Sequence, residues 1–280
     1  TDSDGLTYDE TKAITLNDLS EYGDTFEAEM MSAGPIAFWR LSDGSGFTAV
    51  DEISGVNGAF VGGNAVGGAG PFTNITATAT DFDGFNDYAR IPDSNAWDLT
   101  DGSVQLWFKA DDVSGKNYRD LITRSEGGNS EGEFYIALKG DDIEVNIGGG
   151  NGGSLKINNM VTTGTWYQVT ATFGANGLEV YLNGTLIGSD TSITGGIDGN
   201  NADFFVGSWG GTDAYFDGQI AEVAIFDSQL AETAIDDLYS AGESGTDLVT
   251  LTSGADVNTG TAGEDFIAAA AGDDTISGGA

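Results

Sequence analysis

Between Gly34 and Gly242 the chain alternates short apolar and aromatic runs with interruptions rich in Gly, Asn and Asp. The runs include AFWRL, TATDF, YARI, SVQLWFKA, EFYIALK, IEVNIG, WYQVTATF, LEVYLNGTLIG, ADFFVGSW and AEVAIF. Short runs of this kind, with turn residues between them, predict an all-β chain folded as an antiparallel β-sandwich. ANGLEVYLNGTLIG is the clearest hairpin, because Asn183-Gly184 sits between two alternating strands where a type I′ turn needs residues that tolerate positive φ. One segment has a helical period instead. In Leu230 to Gly242, the residues Leu230, Ala234, Leu238 and Ala241 share a face, and Gly242 is placed as a C′ stop. Trp39, Trp107 and Trp166 stand in strand runs flanked by other aromatics, which predicts core positions between packed layers.

The pattern changes at both ends. Asp2 to Glu21 has a turn signal at Asp4-Gly5 and then loose alternation through Tyr8, Ala13, Ile14 and Leu16, enough for one strand and too little to fold alone. YGDTFEAEMMSAG, which follows, reads as a linker or a short helix. At the other end LTSGADVNT, GTAGEDFIA and AAAGDDTIS stand in one register of nine. Gly254, Gly263 and Gly272 take the fourth place, and Asp256, Asp265 and Asp274 the sixth. The alanines from Ala268 to Ala271 then straddle a repeat boundary and need not form a helix. Three regions result: 1–33, 34–242 and 243–280.

Charge narrows the partners. Nine basic against 45 acidic residues give a net charge of −36, which repels phosphate backbones and anionic membrane surfaces. Nucleic acid is excluded as a partner on this ground, and no stretch is apolar enough for membrane insertion. No Lys or Arg follows Lys156, so the later carboxylates are neutralised either by solvent and salt or by Ca²⁺, a hard ion suited to Asp in Gly-rich loops. The chain has no Cys and no His. Disulfides, thiolate and imidazole metal sites, and Ser-His-Asp or Cys-His catalysis are therefore excluded.

Four phrases carry a resemblance. AFWRLSDGSGFTAVDEISGVNGAF (Ala37 to Phe60), TDFDGFNDYARIPDSNAWDLTDGSVQLWFKA (Thr80 to Ala110), GTWYQVTATFGANGLEVYLNGTLIG (Gly164 to Gly188) and FVGSWGGTDAYFDGQIAEVAIFDSQL (Phe205 to Leu230) resemble, in order, bacterial laminin-G-like, concanavalin A-like jelly-roll domains. Tyr167 and Gln168 replace that family's His pair. The resemblance implies a jelly-roll sandwich with one short C-terminal helix. It also implies a structural calcium ion tying the N-terminal segment to the last strand, at positions matching Asp51, Asn57 and Glu222. The alternative there is an ordinary polar loop with Glu222 paired to Arg40. DSDGLTYDETKAITLND resembles the last strand of bacterial cadherin-like repeats. The nonads resemble RTX repeats, GGxGxDxUx, which implies calcium ligation by Asp256, Asp265 and Asp274, with Ile267 and Ile276 in the inward position. Asn258 takes that position in the first nonad and the leading Gly-Gly is mostly missing, a departure from the pattern.

Catalysis is not expected. Glycoside hydrolases need two opposed carboxylates, and those on this fold commonly carry them as ExDxxE, a spacing this chain lacks. EGEF at Glu131 to Phe134 and DDIEV at Asp141 to Val145 read as solvated turn and strand ends. Asp83 and Asp87 read as turn caps or, alternatively, as metal ligands. Candidate ligand contacts come from loops: Trp209, Asp213 and Tyr215 in GSWGGTDAYFDG, Arg124 and Asn129 in TRSEGGNSEGE, and Asn151 in IGGGNGGS. An aromatic beside Asp and Asn can stack on a sugar face while the polar groups bind hydroxyls. The expectation is a calcium-dependent, lectin-like module of a bacterial adhesin, extracellular or at the cell surface and exported by type I secretion. It would act as a monomeric unit of a longer chain and bind a surface glycan or another exposed cell-surface ligand. The alternatives are a calcium-clipped spacer with no ligand, or an accessory domain of a carbohydrate-active enzyme.

Overall fold

The structure is a computed structural model that describes residues 25–42, 47–63, 65–72, 78–115, 117–125, 133–148 and 150–244, with four short strands beyond them. A helix, α1 (Thr25–Ala33), precedes the strands β1 (Ala37–Trp39), β2 (Thr48–Ala49), β3 (Gly58–Val61), β4 (Ala65–Ala69), β5 (Thr78–Asp83), β6 (Tyr88–Ile91), β7 (Gly102–Ala110) and β8 (Tyr118–Arg124). Then come β9 (Phe134–Lys139), β10 (Asp142–Ile147), β11 (Gly153–Ile157), β12 (Trp166–Phe173), β13 (Leu178–Leu182), β14 (Thr185–Asp190), β15 (Phe204–Val206), β16 (Asp217–Phe226) and the helix α2 (Glu232–Ser244).

These strands form two antiparallel sheets, as the alternation predicts. The first has the order β14-β13-β12-β7-β16-β5-β4, with β1 also paired to β16; the second has the order β11-β10-β9-β8-β15-β6-β3-β2. Between them lies a core containing Trp39, Trp97, Phe108, Phe134, Phe204 and Phe216. Asn183 (φ 51°) and Gly184 (φ 73°) close the β13–β14 hairpin with both residues at positive φ, the type I′ geometry expected from the sequence.

The two outer faces differ, and that difference positions the site. The outer face of the first sheet is covered: Trp107, Tyr181 and Phe226 pack with Phe26 and Met30 of α1 and with Ile235 and Leu238 of α2. Tyr239 stacks on Trp107 at 5.8 Å. The outer face of the second sheet carries no helix among the described residues.

Three expectations need correction. The one helix expected of the sandwich is joined by α1, the short-helix alternative read for YGDTFEAEMMSAG, which docks on the first sheet ahead of residue 34. Of the apolar residues of α1 only Phe26 and Met30 are deeply buried, too short a stripe to register as a period. Gly242 does not stop α2 but lies inside it, where an added Cβ would come within 2.7 Å of the Phe72 and Trp107 rings. Its value is close packing. Trp39 and Trp107 are core residues as expected, whereas Trp166 is half-buried with Lys109 5.3 Å above its ring.

Beyond α2 are β17 (Val249–Thr250), β18 (Val257–Thr259), β19 (Ile267–Ala268) and β20 (Thr275–Ser277). β17 pairs parallel with β19 and β18 with β20, each at an offset of eighteen residues, as Val249↔Ile267 and Asn258↔Ile276 show. β18, β19 and β20 fall at the last two or three places of the three nonads, and β17 immediately precedes the first. Asp256, Asp265 and Asp274, and the lone strand expected within 1–24, lie outside the described residues.

Candidate functional site

Alternation puts polar and aromatic side chains of three neighbouring strands on the open outer face. In β9 Tyr135 points away from the core residues Phe134 and Ile136, and in β10 Glu144 and Asn146 alternate with the core residues Ile143, Val145 and Ile147. Tyr135 faces Asn146, which faces Ser154 of β11. At the head of β8, Tyr118 and Asp120 take the same face. The Trp209–Ala214 turn closes the end, fixed by an amide bond from Trp209 to the Asp213 carbonyl (2.8 Å) and one from Asp120 to the Ala214 carbonyl (2.8 Å).

The result is a pocket of about 380 Å³, with Tyr118, Tyr135 and Trp209 as aromatic walls and Asp120, Glu133 and Asp213 among its polar groups. The Tyr135 and Trp209 rings meet edge to face at 5.9 Å, and Tyr118 and Tyr135 at 6.3 Å. Glu144 holds both tyrosines: Tyr118 donates to its carboxylate at 2.9 and 3.0 Å, and Tyr135 donates to Oε1 at 2.9 Å. Pinned rings lose little freedom when a ligand arrives. A neighbouring depression of about 630 Å³ shares Tyr118, Asp213 and Ala214 and adds Arg119, Lys139 and Tyr215. Together they make a groove.

The carboxylates are not solvated ends, and the expectation for EGEF and DDIEV is corrected. Glu133 is 6% exposed, Glu144 8% and Asp120 2%. Burial pushes the Asp120 carboxyl up to about 7, opposed by the Thr123 hydroxyl bond and reinforced by the charges of Asp213, Glu133 and Glu144. Burial also raises Glu133, against its bond from the Ser125 hydroxyl. The stability consequence has a definite sign. The folded chain keeps a proton on Asp120 up to about pH 7, while an unfolded aspartate releases it near 3.9. The fold therefore binds more protons between these values, and this group's contribution to stability falls as pH rises from about 4 to about 7. Asp120→Asn, which mimics the protonated acid, is expected to raise Tm by several degrees over the parent at pH 8 and by little at pH 4.5. An equal shift at both values in paired thermal melts would remove Asp120 as the titrating group.

The six residues expected to contact ligand are dispersed. Trp209 and Asp213 line the pocket, and Asp213 and Tyr215 line the neighbouring depression, where the Tyr215 hydroxyl donates to the Gly211 carbonyl at 2.7 Å. Asn151 sits in the β10–β11 loop and donates to the Thr194 hydroxyl at 3.3 Å, away from both. Asn129 lies outside the described residues. Arg124 is a correction, because it is 0% exposed and its guanidinium faces inward. It donates to the carbonyls of Trp97, Ile197, Asn200 and Ala202 and to the carboxylates of Asp93 and Asp98. Sequence reasoning missed Tyr118, Asp120, Glu133, Tyr135, Glu144 and Asn146. Their signal was alternation itself, read across neighbouring strands.

Asp51 and Asn57 do meet, through hydrogen bonds. The Asp51 carboxylate accepts from the amides of Phe38 (3.0 Å), Ile53 (3.1 Å), Ser54 (3.2 Å) and Val56 (3.1 Å) and from the Ser54 hydroxyl, and the Asn57 side-chain oxygen accepts the Asp51 amide at 2.9 Å. Five donors already occupy the two Asp51 oxygens, so a cation would have to compete with them, and the carboxylate as it stands is a poor fit to the expected ion. The loop is clasped to β1 by hydrogen bonds instead. Glu222 lies in a β16 bulge at φ 54°, with its amide on the Arg40 carbonyl, while Arg40 pairs with Glu27 of α1. Asp83 caps its turn through the amides of Phe85 (2.8 Å) and Asn86 (3.2 Å). Among the described residues, no three acidic side chains are arranged to hold a metal ion.

Residues 82–236 match the concanavalin A-like lectin/glucanases superfamily. Among curated proteins none matches the sequence. The structure is similar to domain 4 of AbnA, a GH43 extracellular arabinanase from Geobacillus stearothermophilus solved with arabinotriose. The TM-score is 0.56 at 20% identity, over 73% of this chain and 98% of that one. It is similar also to the receptor binding domain of botulinum neurotoxin mosaic serotype C/D (TM-score 0.58, 19% identity, 74% of this chain and 51% of that one). A third similarity is to Trypanosoma rangeli sialidase in complex with the inhibitor DANA (TM-score 0.54, 14% identity, 74% of this chain and 32% of that one). The chain thus spans about half of the neurotoxin domain and a third of the sialidase. At these identities the likeness is one of fold.

Proposed function

This chain belongs to the concanavalin A-like lectin/glucanases superfamily, and we propose that it is a glycan-binding module that holds its ligand in the Tyr118–Tyr135–Trp209 pocket without altering it. The observation that carries this reading is the pairing of rings locked by Glu144 with polar groups that still have free valences, on a sheet face that no helix covers among the described residues. Rings take the C–H face of a sugar, and Asn146, Ser154 and Asp213 take hydroxyls. The volume suits one or two sugar units, and the adjoining depression extends the groove for more. The bound arabinotriose of the arabinanase domain is a parallel on the same fold.

The module's setting is part of the proposal. An extracellular bacterial adhesin, exported with a calcium-binding RTX tail, is supported by strands at the same places of successive nonads and by their eighteen-residue parallel offset, two nonads per turn. We place calcium in that tail and not in the sugar pocket, where the acidic groups do not converge. A glycan array probed with the full chain, in calcium and again in chelator, tests the reading. Reproducible hits in both conditions are expected. A silent array would leave the spacer reading standing, and released product would indicate an enzyme.

A further inference from the structure

Asp120, Glu133 and Asp213 each bring to the pocket a carboxylate that is only half satisfied. One Asp120 oxygen accepts the Thr123 hydroxyl (2.9 Å), one Glu133 oxygen accepts the Ser125 hydroxyl (3.1 Å), and one Asp213 oxygen accepts the Ala214 amide (2.8 Å). The second oxygen of each has no hydrogen-bond donor among the described residues. Glu144 adds a fourth acidic group just behind the rings. Among the described residues none of the four is ion-paired. Of the basic side chains close by, Lys139 lies over the Tyr118 ring at 4.2 Å and faces the neighbouring depression, and Lys156 stands across from Glu144 on β11, paired with Asp142 at 2.7 Å.

Asp120 and Glu133 are buried on the cavity wall, where burial disfavours their ionised forms, while Asp213 stands exposed at the rim; a positive group in the cavity would stabilise both buried carboxylates as anions. The partner that these two half-satisfied carboxyls favour most is therefore a positive one. A single metal ion does not answer, because the carboxylates surround the cavity without converging on one point. The walls ask for a ligand with several N–H and O–H donors, a positive charge and an apolar face for Trp209 and Tyr135. An ammonium beside an aromatic face gains a further cation–π attraction. On the basis of the glycan-binding reading, we propose that this pocket selects sugars bearing a free, protonated amine. The ammonium donates to the open oxygens of Asp120 and Glu133, the ring C–H face lies on Trp209, and Asp213 takes a hydroxyl. Carboxylated and sulfated sugars are repelled by the same groups, as they are by the chain's overall charge of −36.

The test uses matched tetrasaccharides in the gluco and galacto series, each as the free amine, the N-acetylated form and the plain hexose, titrated calorimetrically into the full chain near neutral pH. A charge-assisted hydrogen bond is worth roughly twice a neutral one, so a free-amine form is expected to bind at least about tenfold tighter than both neutral partners. The advantage should shrink with added salt. Asp120→Asn and Glu133→Gln, checked for folding by thermal melt, should each cut the preference to a few-fold. Neutral forms that bind equally well and need Trp209 would overturn amine selection and leave glycan binding intact. No binding by any tetrasaccharide would overturn both. A tetralysine peptide that binds as tightly as the amino sugar would overturn the requirement for a sugar ring.

Discussion

Replacing Arg124 by leucine is expected to cost the fold about 3–5 kcal/mol or more, a large part of the roughly 5–15 kcal/mol that holds a domain together. The guanidinium is fully buried and donates at 2.7–3.3 Å to four backbone carbonyls from two loops, Trp97 on one side and Ile197, Asn200 and Ala202 on the other. It also holds Asp93 (2.8 Å) and Asp98 (3.1 Å), and it lies over the Phe204 ring. Leucine fills part of the volume and satisfies none of these acceptors, each of which costs about 1–3 kcal/mol when left buried and unpaired. Lysine keeps the charge but has three donors on one atom, which cannot reach both loops, so Arg124→Lys should fall between the parent and leucine. At about 2–4 °C per kcal/mol for a domain of this size, the leucine variant should melt roughly 6–20 °C lower. Urea unfolding of the three proteins measures the difference, and a leucine variant within about 1 kcal/mol of the parent would show that solvent or rearranged loops take over the arginine's bonds.

The same residue shows what the sequence could and could not reveal. The sandwich, the type I′ turn at Asn183-Gly184 and the long helix near Leu238 were legible because each rests on local chemistry: two-residue alternation, positive φ and an apolar stripe. Arg124 was misread because a charged residue at the end of a strand, next to a Gly-rich loop, normally faces water. Only the fold reveals that two distant loops close over it. Glu133 and Glu144 were misread for a related reason. Along one strand an outward carboxylate looks solvated, but Tyr118, Tyr135 and the Trp209 turn stand around it and remove the water. Apart from Tyr135, two residues from Glu133, those neighbours come from strands and loops 9 to 76 residues away in the chain, separations at which no local pattern operates. Trp209 and Asp213, singled out in the sequence by their Gly-rich turn, do line the pocket. Asp51 was placed correctly beside Asn57, yet the donors that saturate it are mostly backbone amides, which a sequence does not display.

Trp209→Ala should weaken binding of any glycan the pocket holds by about 30-fold, equivalent to about 2 kcal/mol, the loss typical of a central aromatic anchor. Trp209 is half-buried in a turn whose backbone is fixed independently of its ring, by hydrogen bonds from the Trp209 amide to the Asp213 carbonyl, from the Gly211 amide to the Ser208 hydroxyl oxygen (3.1 Å) and from the Tyr215 hydroxyl to the Gly211 carbonyl. The fold should therefore survive truncation, with Tm within a few degrees of the parent. Tyr135→Phe provides the contrast. It keeps the ring that meets Trp209 at 5.9 Å but removes the hydroxyl that ties it to Glu144. If ring contact dominates, this variant should lose only about two- to fivefold, because a neutral hydrogen bond contributes on the order of 1 kcal/mol and the ring stays packed. If instead the polar floor dominates, the order reverses, and Tyr135→Phe together with Asp120→Asn costs more than Trp209→Ala. Titrating one array-positive glycan into the parent and the three variants decides between them. Unchanged affinity in Trp209→Ala would move the binding site off this face of the sheet, since no ligand can occupy the pocket without meeting that wall.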